Sequence, residues 1–127
     1  MAEAVLDSSA VLALIWSERG SEEIEAVIHN SLLSVVNEAE AIGVLIQRGE
    51  TPERALEIAG ELPCQIVDLD RDVARRAGSL WRRFKKRRLS LGDRCCLALA
   101  EREKLPVLTS DKLWAELPIE VEVRFFK

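Results

Sequence analysis

An α/β fold is predicted for this chain: a largely parallel sheet of about five strands, flanked by helices on both faces, in one domain spanning residues 1–127. Short apolar runs alternate with longer segments of helical period from end to end. Turn and cap residues sit at nearly every junction between them. Length and a hydrophobic content of 48% suit one compact core, and a mean hydropathy near zero argues against extended disorder.

Ala4-Val5-Leu6 reads as a first strand, ending in Asp7-Ser8-Ser9, residues favoured at helix starts. A helix follows from about Ala10 to Trp16, and Arg19-Gly20 ends it. Ser21 opens a second helix, with Glu22 and Glu23 at its positive end and Ile24, Val27 and Ile28 on one side. Leu32–Val36 reads as a second strand. A third helix over Asn37–Arg48 is expected to bury Ala39, Ile42, Leu45 and Ile46, with Gly49 as its stop. Thr51-Pro52-Glu53 opens a fourth helix that runs to about Leu62 before Pro63. Gln65–Leu69 is the third strand, and Arg71–Lys86 a basic fifth helix, with Trp81 and Phe84 expected in the core. A loop at Arg87–Leu89 leads to Ser90, which opens a sixth helix reaching Lys104. Pro106–Thr109 is the fourth strand, Lys112–Leu117 a short helix, and Val121–Phe126 the last strand.

Composition excludes several classes. No apolar run approaches the ~18–20 residues that span a bilayer. Met1-Ala2-Glu3-Ala4 lacks the basic start and apolar stretch of a secretory leader, so the expected location is cytoplasmic. The three cysteines, Cys64, Cys95 and Cys96, form no C-x-x-C pair, and His29 is the lone histidine. A structural zinc site and a two-histidine ribonuclease mechanism are both excluded. Cys95 and Cys96 read as small buried residues, and His29 as a helix-end residue. The net charge is −4, yet residues 71–94 sum to +8. Such a band can attract a polyanion locally.

Four acids stand beside apolar sequence: Asp7 after Val5-Leu6, Glu40 between Ala39 and Ala41, Asp93 at the head of an apolar helix, and Asp111 after the fourth strand. Parallel sheets of this kind bind ligands beyond the carboxyl ends of their strands, and Asp7 and Asp111 both follow strands at that rim. Each of Asp7, Asp93 and Asp111 also stands where a helix cap would, and Ser90-x-x-Asp93 resembles a capping box. Glu40, in mid-helix, has no capping role. Together, converging carboxylates repel one another and resist desolvation. A divalent cation such as magnesium, with oxygen ligands and retained waters, relieves both problems. Such a cation also makes a bound water a better nucleophile and stabilises charge on a phosphate.

The motifs resemble those of PIN-domain nucleases over essentially the whole chain. Val5-Leu6-Asp7-Ser8-Ser9-Ala10 is similar to the opening motif, Ser34-Val35-Val36-Asn37-Glu38-Ala39-Glu40 to the second, Leu89–Ala100 to the third, and Leu108-Thr109-Ser110-Asp111-Lys112-Leu113-Trp114 to the fourth. The short length and the third motif point to the VapC-type toxins of toxin–antitoxin pairs. The resemblance implies an endoribonuclease dependent on Mg²⁺ or Mn²⁺, hydrolysing RNA phosphodiester bonds with a metal-activated water and restrained by a cognate antitoxin. Relatives are usually homodimers. Asp7, Glu40, Asp93 and Asp111 then form the catalytic pocket. Asp7 and Asp93 are direct metal ligands, and Asp111 binds directly or through water. Glu40 binds through water or orients the attacking water, and Thr109 supports the pocket by hydrogen bonding. Some relatives carry a further acid where this chain has Ala115, which puts a second metal in doubt.

The run Arg82, Arg83, Lys85, Lys86, Arg87 and Arg88 precedes the third motif. It reads either as an RNA phosphate-binding segment or as a solvated helix face. A non-catalytic PIN-fold module that binds RNA or protein is the alternative function, although a scaffold does not require the full acid set. Ile66-Val67-Asp68-Leu69-Asp70 superficially resembles the start of a haloacid-dehalogenase-type phosphatase. Asp72, in place of Thr or Val, and the lack of a matching lysine motif argue against it. An acid-pocket receiver domain fits no better, since adjacent acids do not follow the first strand.

Overall fold

The computed structural model describes residues 1–83 and 88–127, without the side chains of residues 81–83. Five strands, β1 (Ala4–Leu6), β2 (Ser31–Ser34), β3 (Gln65–Val67), β4 (Val107–Thr109) and β5 (Val123–Phe125), form one sheet in the order β3-β2-β1-β4-β5. Every pairing is parallel. The helices are α1 (Ser8–Ile15), α2 (Ser21–Val27), α3 (Val35–Gln47), α4 (Pro52–Gly60), α5 (Arg71–Arg83) and α6 (Leu91–Glu103). Two 3-10 turns, Ile28–Asn30 and Lys112–Glu116, complete the described elements.

Strand alternation divides the core. Val5, Leu32 and Val107 point to one face, where Val73, Ala77 and Leu80 of α5 and Cys95, Cys96 and Leu99 of α6 cover them with Trp114. Their neighbours Leu6, Leu33 and Leu108 point the other way, against Ala10 and Val11 of α1, Ile24 of α2 and Ala41 of α3. Successive strand residues face opposite sides, so one three-residue strand anchors both helix layers.

The α/β expectation holds, and so do both buried cysteines and the exposed His29. Thr51 caps α4 by accepting from Arg54 N at 3.1 Å, with Pro52 in its first turn. The second strand is shorter than its β-branched sequence suggests. Ser34 Oγ accepts from Val36 N at 3.2 Å, so the chain turns helical at Val35. On α3 the buried residues are Asn37, Ala41 and Leu45, whereas Ala39 and Ile46, expected inside, are exposed. The end of the basic helix, with Trp81 and Phe84, lies outside the described side chains.

Candidate active site

The order of strands reverses direction between β1 and β4, the kind of switch point at whose carboxyl rim parallel sheets bind ligands. Asp7 is the first residue after β1 and Asp111 the second after β4. Ser34, ending β2, starts α3 and so directs Asn37 and Glu40 upward from the neighbouring strand. The head of α6 brings Asp93 from the other layer.

Asp7 is the buried centre, 5% exposed. Its backbone occupies the cap position of α1, but its side chain makes no capping bond. Instead Oδ2 accepts from Ser9 Oγ and from Thr109 Oγ1, both at 2.9 Å. Oδ1 is buried with no hydrogen-bond partner among the described residues. Burial pushes the Asp7 carboxyl up to about 6; the Ser9 and Thr109 bonds oppose the rise and the Asp93 charge adds to it.

The two hydroxyls that hold Asp7 also tie β1 to the segment after β4. Thr109 Oγ1 accepts from Asp111 N at 3.1 Å, and Ser9 Oγ accepts from Ser110 N at 3.1 Å. Asp111 Oδ1 accepts from Leu113 N at 3.0 Å, so this acid does cap its 3-10 turn.

Asp93 forms the capping box that the sequence suggested. Its Oδ2 accepts from Ser90 N at 3.1 Å, and Ser90 Oγ accepts from Asp93 N at 3.0 Å. Partial burial raises the Asp93 carboxyl above its ordinary range; the Ser90 bonds lower it, and the Asp111 charge raises it further. Cys96, on α6, feels the charges of three of the acids. Its buried thiol is pushed well above the usual value by burial, then by the charges of Asp7, Asp93 and Glu40.

Glu40 is held by a residue that motif reading passed over. Asn37 is fully buried, and its Nδ2 donates to Glu40 Oε1 at 2.9 Å and to Gly92 O at 3.1 Å. A side chain on Gly92 would overlap the Glu40 carboxylate, so the bare backbone leaves the space in which that carboxylate lies. Ser9, which the sequence places at a helix start and within the opening motif, is a donor to Asp7. Its place two residues after Asp7 was the available signal.

Among the described residues, no three His, Cys, Asp or Glu side chains stand close enough to enclose a metal between them. The donor chemistry nonetheless fits a hard cation. Asp7 offers a buried anionic oxygen without a donor, and magnesium uses one or two carboxylates with water filling its remaining positions. Of the basic run, Arg88 is exposed, while Arg82, Arg83, Lys85, Lys86 and Arg87 lie outside the described side chains.

The PIN domain family model matches residues 4–120. No curated protein matches the sequence. Among solved structures, a toxin–antitoxin complex from Klebsiella pneumoniae is similar at 22% identity over 98% of each chain, with a TM-score of 0.76. DNA-bound VapBC from Salmonella typhimurium is similar at 17% identity over all of both chains, with a TM-score of 0.80. VapC20 from Mycobacterium tuberculosis, a toxin that cleaves the sarcin–ricin loop, is 15% identical over 94% of this chain and 99% of its own, with a TM-score of 0.71. At these identities the likeness is one of fold.

Proposed function

Because the chain belongs to the PIN-domain family, we propose that it is a Mg²⁺-dependent endoribonuclease, the toxin of a toxin–antitoxin pair. The observation that carries this reading is Asp7: a buried carboxylate with Oδ2 fixed by two hydroxyls, Oδ1 unpartnered, and a second carboxylate acting on it. A structural aspartate so placed would be costly to keep charged, and a bound cation removes that cost.

Asp7 and Asp93 are assigned as the direct ligands and Asp111 as a direct or water-mediated one, with Mn²⁺ an acceptable substitute. When bound, the metal supplies charge stabilisation at the scissile phosphate and lowers the pKa of a coordinated water. Ser9 and Thr109 keep Asp7 Oδ2 fixed, so that Oδ1 is the oxygen presented. Glu40, steadied by Asn37, would bind the metal through water or orient the attacking water. The basic run at 82–88 precedes Asp93 in the chain and is assigned to hold RNA phosphates.

The toxin–antitoxin complexes of matching fold support a cognate antitoxin as partner. Homodimerisation and a cytoplasmic location complete the proposal. None of the described helices is long and apolar enough to cross a membrane.

Cleavage of a structured RNA by wild type and Asp93→Asn, with Mg²⁺ and with EDTA, tests the reading. Cutting by wild type with Mg²⁺ alone supports it, and equal cutting under all conditions rejects it. One observation favours a binding module instead: Asp93 and Asp111 both serve as helix caps. On that reading RNA or protein binds and no condition yields cleavage.

A further inference from the structure

Asn37 is a polar side chain with no exposure at all, on a helix whose other buried residues are apolar. Its Oδ1 is buried with no hydrogen-bond partner among the described residues, and such burial is costly, so the two bonds that Nδ2 makes have a specific purpose. Both acceptors of Nδ2 belong to the site's framework. One is the carboxylate of Glu40, a turn further along α3, and the other is the carbonyl of Gly92, 55 positions away at the head of α6. Two acceptors also fix which end of the amide faces them. The missing side chain of Gly92 provides the space in which Glu40 lies, and Asp93 is the next residue.

We infer that Asn37 is a positioning residue, clamping Glu40 against the first turn of α6 so that its carboxylate keeps a fixed relation to Asp93. The inference rests on the ribonuclease reading above and deepens it. A hydrogen bond within one helix would restrict Glu40 only relative to α3. The second bond, to Gly92 O, refers that restriction to the helix that carries Asp93. Glu40 is only partly buried, and without the clamp its side chain is free to swing toward solvent. Asn37→Leu removes both bonds at similar volume, and Asn37→Asp keeps the shape while turning an oxygen toward two acceptors.

The test measures single-turnover cleavage of a structured RNA at saturating Mg²⁺ for wild type, Asn37→Leu, Asn37→Asp, Glu40→Gln and the Asn37→Leu/Glu40→Gln pair, with thermal melts confirming folding. Both Asn37 variants should slow cleavage roughly 10- to 100-fold, the range for residues that orient a functional group, with RNA affinity unchanged. In the Glu40→Gln background, Asn37→Leu should add little. An equal loss in both backgrounds, or a wild-type rate in Asn37→Asp, overturns the inference. A second readout needs neither metal nor RNA and keeps the question open to test should a variant fail to fold. The Asn37 side-chain amide resonances of the metal-free protein should shift in Glu40→Ala, and unchanged resonances overturn the clamp. If wild type cuts no RNA while those resonances shift, the ribonuclease reading fails and the clamp stands.

Discussion

Thr109 Oγ1 donates to Asp7 Oδ2 at 2.9 Å and accepts from the backbone of Asp111, so one hydroxyl joins two acids that are 104 positions apart in the chain. Thr109→Val preserves the shape and removes both bonds. It should lower stability by about 1–3 kcal/mol, the cost of leaving buried polar groups unpaired, and should slow cleavage. Thr109→Ser should retain most of both. Urea unfolding and RNA cleavage of the two variants check this, and a Val variant as stable as wild type refutes it.

Asp7 makes the metal-free protein sensitive to pH in a defined direction. Its folded carboxyl titrates near 6, above its ordinary value of 3.8. Its contribution to stability is therefore complete below about pH 4 and is lost as pH rises through 6. The difference is on the order of 3 kcal/mol, and the raised Asp93 carboxyl acts in the same direction. In EDTA, stability should fall between pH 5 and 7.5 more steeply for wild type than for Asp7→Asn. Parallel curves for the two proteins would rule this out.

Magnesium should restore what deprotonation removes. A ligand that binds only the folded state at about a hundredfold above its Kd contributes roughly 2.7 kcal/mol. Scanning calorimetry at neutral pH should show the melting temperature of wild type rising with Mg²⁺. Asp7→Asn and Asp93→Asn should show little rise, and an equal rise in all three would place the cation elsewhere.

Gly92→Ala should separate fold from site geometry. The added methyl meets the far end of a flexible side chain, not backbone, so stability should stay within about 1 kcal/mol of wild type, aided by better helix propensity. Glu40 should leave its position and lose its bond to Asn37. A crystal structure of the variant decides the matter, and an unmoved carboxylate contradicts it.

The architecture was legible because its signals are local. Apolar runs, Thr51-Pro52 and the Ser90/Asp93 box each act within a few residues, and each appears as read. The start of α3 was misjudged because Val35 and Val36 favour strands, whereas the Ser34 cap prevails. Asp7, Glu40, Asp93 and Asp111 stood out as charges beside apolar sequence. Asn37 did not, since its meaning depends on Gly92, 55 positions on. The acceptor role of Ser9 toward Ser110 N likewise depends on β1 lying next to β4, a fact of topology that no short window contains.

Strand β4 occupies the place beside β1 in space but is synthesised a hundred residues later. Until it is inserted, β1 lacks one of its two neighbours, and Asp7 lacks both Thr109 and the facing segment of Asp111. A chain growing on a ribosome thus carries more than four fifths of its length before the rim can assemble. Asp7 and Asp111 therefore come to stand at one rim only after β4 has been made, late in synthesis.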